Sequence, residues 1–401
     1  MYRMSPEVEN QYVWIPPSYT TSHGPSLSTT ASLAPDSEFE QNFARSAKWC
    51  PDGSLALAQC ENRTFEILDL CEPMTSLPSW PKHRVFPQAA PILDFIWYPR
   101  ATPRDPASFC FVASVRESPV KLLDASTGRL RASYKIVDHR ERQIAPHSMS
   151  FNGSADRYRL RSRLYCGFED AIEVFDLNNP GEGTRLATTP SRKSRDGLKG
   201  IISALAFCPS YDPSSSMFAA GSLTPSSSVS PNIALFSEDT GSKPLAFNPM
   251  KPHVLYASFR RHGAIYGWDL RGDTSVPVQI FRPNGGGARP STNQRIKFDV
   301  DLSGKWMSVG DQHGDISLFD LDKPEAEDAE GSDHALEADA VLRYTAHKDA
   351  VGSVAFHPLR PFLLSVSGSR HFDINSDINN QSSSSEEDEE EHQDSSSVTS
   401  V

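Results

Sequence analysis

The feature that most constrains this fold is a short pattern recurring along the chain. A β-branched or apolar residue is followed by a spacer, another apolar residue, an aromatic or Leu, and then Asp. The copies are Phe65-Glu66-Ile67-Leu68-Asp69, Val120-Lys121-Leu122-Leu123-Asp124, Ile172-Glu173-Val174-Phe175-Asp176, Ile265-Tyr266-Gly267-Trp268-Asp269 and Ile316-Ser317-Leu318-Phe319-Asp320. A weaker copy, Ile233-Ala234-Leu235-Phe236-Ser237, ends in Ser. Alternation with period two is the signal of a half-buried strand, and the closing acid is turn chemistry.

Ahead of each copy stands a second apolar strand that ends in an aromatic and then Pro, Asp or Gly. Examples are Ala47-Lys48-Trp49-Cys50-Pro51-Asp52-Gly53, Leu93-Asp94-Phe95-Ile96-Trp97-Tyr98-Pro99, Leu205-Ala206-Phe207-Cys208-Pro209 and Val354-Ala355-Phe356-His357-Pro358. His147 to Gly153 and Ile296 to Asp299 fit more loosely. A unit of short strands repeating about every 40 to 55 residues, with no helical period, identifies blades of a WD-repeat β-propeller. Six closing strands and a last unit without one, Ala346 to Ser367, predict an all-β, seven-bladed ring over residues 39–372. Residues just before Ser46 are expected to supply the strand that the last unit lacks, which removes exposed sheet edges.

One spacing breaks the rhythm. Closing residue and next aromatic lie about thirty positions apart in most units, but Ser237 and Phe247 are ten apart. Ten residues can cross between blades at about 33 Å, but leave nothing for an inner strand, so the fifth blade is expected to be shortened. Three lost inward side chains at about 1.5 to 3 kcal/mol each rival a total stability of about 5 to 15 kcal/mol. The gap therefore reads as a shortened splice form or an imperfect gene structure, which transcript sequencing across the junction tests.

The net charge of −12 is concentrated in two places, with seven carboxylates between Glu325 and Asp339 and seven more between Asn379 and Val401. The remainder is close to neutral, so acidity does not argue against an RNA partner. Residues 1–38, rich in Ser, Thr and Pro, and the acidic Ser-rich tail 373–401 are expected to be disordered, with an acidic loop at 322–340. The tail is either solubilising or a target for an acid-directed kinase. No run of about 18 apolar residues or secretory leader is present, which predicts an intracellular chain. The cysteines Cys50, Cys60, Cys71, Cys110, Cys166 and Cys208 are widely spaced and read as reduced thiols, without a metal site.

No nucleophile elbow, His-Glu-x-x-His or phosphate-cradling loop is found, and Asn284-Gly285-Gly286-Gly287 lacks a following Lys. The chain is expected to be no enzyme and to take no cofactor. RNA binding needs cations for phosphate and planar groups for bases. Four clusters offer cations: Arg129, Arg131, Lys135, Arg140 and Arg142; Arg192, Lys193, Arg195 and Lys199; Arg260, Arg261 and His262; Arg295 and Lys297. Each alone reads equally as solvated loop charge. The row Arg157, Arg159, Arg161 and Arg163 reads as a guarded sheet edge.

Several stretches resemble the telomerase Cajal body protein family: Ala47 to Ser54, Asp124 to Tyr134, Leu164 to Phe168, Gly200 to Phe207 and Thr292 to Asp299. They run in family order from about Asn42 to Arg370, and the chain is similar to a divergent, fungal-like member. The resemblance implies a non-enzymatic nuclear scaffold, in Cajal bodies or nucleoplasm, for small Cajal-body (box H/ACA) RNAs and telomerase RNA. It also implies H/ACA ribonucleoprotein proteins as partners, or spliceosomal particles as in fungal relatives. Asn293, Gln294 and Arg295 stand just before a first strand, where amides read base edges and Arg pairs phosphate; the alternative is backbone capping. Arg295 leads the candidates, with Asn293, Gln294, Arg260, Arg261, Arg131, Lys135 and Lys199. A competing reading is a generic docking propeller, such as a cullin-ligase substrate receptor, through Arg271 of Trp268-Asp269-Leu270-Arg271.

Overall fold

The computed structural model describes residues 15–70, 84–152, 163–178, 181–191, 193–194, 197–209, 217–223, 232–237, 246–259, 263–283, 294–323 and 335–370. The chain divides into two units, Met1–Gly368 and Ser369–Val401; of the second, Ser369 and Arg370 are described. Among the described residues every regular element is a strand, arranged as a β-propeller of consecutive sheets.

The first sheet holds β1 (Ala44–Trp49), β2 (Ala56–Cys60), β3 (Thr64–Leu68) and β4 (Arg84–Pro87) in chain order. The second holds β5 (Ile92–Trp97), β6 (Cys110–Val115), β7 (Val120–Asp124) and β8 (Leu130–Tyr134). The third holds β9 (Ser148–Phe151), β10 (Arg163–Phe168), β11 (Ala171–Asp176) and β12 (Thr184–Ala187). Three strands make the fourth: β13 (Ile202–Phe207), β14 (Met217–Ser222) and β15 (Ile233–Ser237). The fifth comprises β16 (Ala246–Phe247), β17 (Val254–Ser258), β18 (Ile265–Asp269), β19 (Gln279–Phe281) and, out of sequence, β23 (Leu336–Ala338). β20 (Phe298–Val300), β21 (Trp306–Gly310), β22 (Asp315–Asp320) and β24 (Leu342–Thr345) form the sixth. β25 (Val351–Phe356) and β26 (Leu363–Ser367) form a last pair.

Burial follows from stacking sheets face to face. β2 and β6 are buried at every position, whereas β8 and β12 at the rim are mostly exposed. Apolar clusters join neighbours: Phe65, Phe95 and Phe111 between the first and second sheets, Tyr134 and Phe175 between the second and third, Tyr165 and Phe218 between the third and fourth. Phe281 and Phe319 join the fifth and sixth, and Val366 with Ala47 and Ala58 joins the last pair to the first sheet. No such cluster spans the fourth and fifth sheets among the described residues. The repeated closing acid has a plain structural use, since it accepts the turn's backbone N–H groups: Asp124 takes those of Ser126 and Thr127, and Asp176 that of Asn178.

Four details differ from the sequence expectations. The fifth sheet does have an inner strand, β16, reduced to two residues, while the short spacing leaves the fourth sheet without an outer strand among the described residues. Among the described residues no strand before Ser46 pairs with the last two; Ala44 and Arg45 belong to β1 of the first sheet. The acidic stretch contributes a strand, since Leu336, Glu337 and Ala338 pair in parallel with Gln279, Ile280 and Phe281. Residues 15–43 carry no strand but are tied down. Tyr19 packs edge-on against Trp306 and Phe356, with ring centroids at 6.4 and 5.5 Å. Further on, Asn62 donates to Asp36 and Ala34 N–H donates to Glu66.

Candidate nucleic-acid interface

Inner strands begin at one end of the ring and finish at the other, and antiparallel pairing sorts every connection accordingly. Ile92 pairs with Val115 and Val120 with Tyr134, so the starts of first and third strands and the ends of second and fourth strands share one end. That leading end collects Arg45, Arg116, Lys135, His147, Lys199, Gln294 and Arg295. Arg131 and Arg271 lie at the trailing end, beside third-strand closures.

The two trailing candidates are already engaged. Arg131 pairs with Asp124 at 2.6 Å and donates to the carbonyls of Pro106 and Ala107, which makes it a brace for its own blade. Asp124 is correspondingly held at about 2, with its turn hydroxyls and Arg131 outweighing its burial. Arg271 closes on Asp269 at 2.6 Å but stays two-thirds exposed. At the leading end, Lys135 is exposed and Lys199 half-buried. Asn293, Arg260 and Arg261 lie outside the described residues. Gln294 donates to the carbonyl of Gly368 at 2.9 Å.

Arg295 is exposed but engaged. Its guanidinium donates to the carbonyl of Ser203, at the start of β13, at 2.9 Å. The chain around it is fixed because Lys297 N–H donates to Gly352 O at 3.0 Å, stitching the sixth sheet to β25. Gly352 also lets β1 approach β25, since a Cβ there would lie 2.7 Å from the carbonyl oxygen of Arg45.

Behind Arg295, side chains from three inner-strand segments meet. Lys48 of β1 stands 3.6 Å from Asp94 Oδ1 of β5, and Lys297 stands 4.0 Å from the same oxygen. Asp94 Oδ2 accepts the N–H of Met149 at 3.0 Å, tying β5 to β9. Burial alone would raise this carboxyl, but Lys48, Lys297, Arg295 and the Met149 amide outweigh it and hold it below the usual range. Lys297 is pushed down to about 7 by poor solvation, reinforced by Lys48, Arg295 and Arg45 against Asp94. Its side chain keeps 24% of its surface open. Asp299 goes the other way, up to about 6, through burial. His147 is lowered by burial and by Arg116 and Arg295.

The sequence did not single out Lys48, Asp94 or Arg116. The signal was present, as a lone charge inside an apolar first strand, in Ala47-Lys48-Trp49 and Leu93-Asp94-Phe95. Chemically, this end can hold anions and stack little; among the described residues no three His, Cys, Asp or Glu side chains gather as metal ligands do.

No protein-family model matches the chain. It is 30% identical over 345 residues to "Telomerase Cajal body protein 1" of Homo sapiens, covering 83% of this chain and 58% of the human protein. Against the Mus musculus protein of the same name it is 29% identical over 347 residues, covering 83% and 60%. Against "Guanine nucleotide-binding protein negative regulator 1" of Schizosaccharomyces pombe it is 27% identical over 296 residues, covering 67% and 68%. The chain thus spans about three fifths of the length of the mammalian relatives.

Proposed function

Taking as premise that this chain is a divergent member of the telomerase Cajal body protein family, we propose that it is a non-enzymatic, RNA-binding scaffold of the nucleus. It binds small Cajal-body (box H/ACA) RNAs and telomerase RNA and assists their ribonucleoproteins to assemble or localise. H/ACA proteins, or spliceosomal particles, are the partners of this reading. The observation that carries it is the similarity to Cajal body proteins along most of the chain. The cation-rich leading end supports it, because phosphate contacts supply most affinity for RNA in a sequence-tolerant way. Within this reading the pair β25–β26 is the inner half of a seventh blade.

Crosslinking the chain to RNA in nuclei and sequencing what is recovered tests the proposal. A box H/ACA, telomerase or spliceosomal set is the expected result, and background RNA together with a cullin adaptor overturns it in favour of a protein-docking propeller.

A further inference from the structure

The middle of the ring holds an ammonium without a hydrogen bond among the described residues. The nearest carboxylate oxygen to Lys297 Nζ is Asp94 Oδ1 at 4.0 Å, and that atom already faces Lys48 Nζ at 3.6 Å. Asp299, which also acts on Lys48, has its Oδ2 accepting Phe356 N–H at 2.8 Å. Lys48, Lys297 and Arg295 all act on the one Asp94 carboxylate; Lys48 also donates to Phe95 O and acts on Asp299, and all three cations keep part of their surface open. Clustered cations repel one another, and an anion is what relieves the repulsion.

We propose that the centre of the ring is an oxyanion site that takes one phosphate group, bridged by the Lys48 and Lys297 ammoniums with the Arg295 guanidinium as third donor. The two ammoniums share a neighbouring oxygen and so stand no more than about 8 Å apart, the span that one phosphate covers with a charge-assisted hydrogen bond on each side. Asp94, fixed by Met149 N–H, is the positioning residue that holds both lysines at this spacing. The inference rests on the placement of these cations and not on the RNA reading. The phosphate belongs either to a free ion or to the end of a nucleic acid strand, which bind by the same chemistry.

Titrating inorganic phosphate into the full-length chain, followed by ³¹P line broadening and thermal melting, tests it. Saturable binding of one equivalent is expected, weakened at least tenfold in Lys297→Met and in Lys48→Met and restored in Lys297→Arg. Arg142→Ala, a surface cation, leaves it unchanged. Near-UV circular dichroism identifies any variant that fails to fold, and Arg295→Ala, at the mouth, then supplies the comparison. Competition by a 5′-phosphorylated oligonucleotide but not its 5′-hydroxyl counterpart assigns the group to a strand end, and competition by neither assigns it to the free ion. No saturable binding, or binding unchanged in all three cation variants, overturns the site. RNA capture without phosphate binding defeats this inference alone; phosphate binding without specific RNA defeats the functional proposal alone.

Discussion

Asp299 and Lys297 are two positions apart and tilt the stability of the ring with pH in opposite directions. Asp299 is raised from 3.8 to about 6, so across that window the folded chain holds a proton that the unfolded chain has released, and stability from this group is lost as pH rises. Lys297 is lowered from 10.5 to about 7; there the unfolded chain holds the extra proton, and stability rises with pH. Chemical denaturation at stepped pH should show Asp299→Asn removing the fall between about pH 4 and 6, and Lys297→Met removing the rise above about pH 7. Arg295→Ala should weaken RNA capture about tenfold, equivalent to ~1.4 kcal/mol, with the melting temperature unchanged; equal capture by filter binding removes Arg295 from the interface. Gly352→Ala should cost about 1 to 3 kcal/mol in thermal melts, because its Cβ would lie 2.7 Å from the backbone oxygen of Arg45. The charged residues of this centre were hard to read in advance. Arg295 was visible as part of a loop segment, but Lys48 and Asp94 meet only because separate inner strands converge, and strand alternation does not say which faces share an axis.

Among the elements, the join between the fourth and fifth sheets is the weak one. Among the described residues, β16 has two residues, the fourth sheet has three strands, and the thiol of Cys208 reaches the carbonyl of Pro252 across the join at 3.6 Å. With few buried apolar contacts, this join should open locally at lower free energy than the rest. Hydrogen exchange should therefore show β13 and β17 amides exchanging before those of β2 and β6, and uniform protection around the ring would contradict this. The sequence carried the strands themselves well, since alternation and turn acids mark β3, β7, β11, β18 and β22 directly. It located the damage near Ser237, where the inner strand β16 is cut to two residues, but not the three-stranded fourth sheet seen among the described residues, because chain length alone does not say how a deficit is shared between neighbouring sheets. β23 escaped notice because three residues within an acidic stretch lack a period, and its partner β19 lies 57 positions away, Gln279 pairing with Leu336.

For the molecule as a whole, the last and first sheets are held by contacts between residues far apart in sequence. Ala47 N–H donates to Ser353 and the indole of Trp49 to Ala355 O, both across 306 positions. Beside them, the N-terminal segment runs from Tyr19, at the trailing end by Trp306 and Phe356, to Asp36 at the leading end by Asn62. Tyr19→Ala should lower stability by about 1 to 2 kcal/mol and leave the blades intact, read as a lower melting temperature with an unchanged far-UV spectrum. Such distant pairing also sets a timetable for biosynthesis. While a ribosome is still extending the chain, β1 waits with one apolar face bare until residues beyond 350 have emerged, so a nascent arc is a client for holding factors long before it is a wheel.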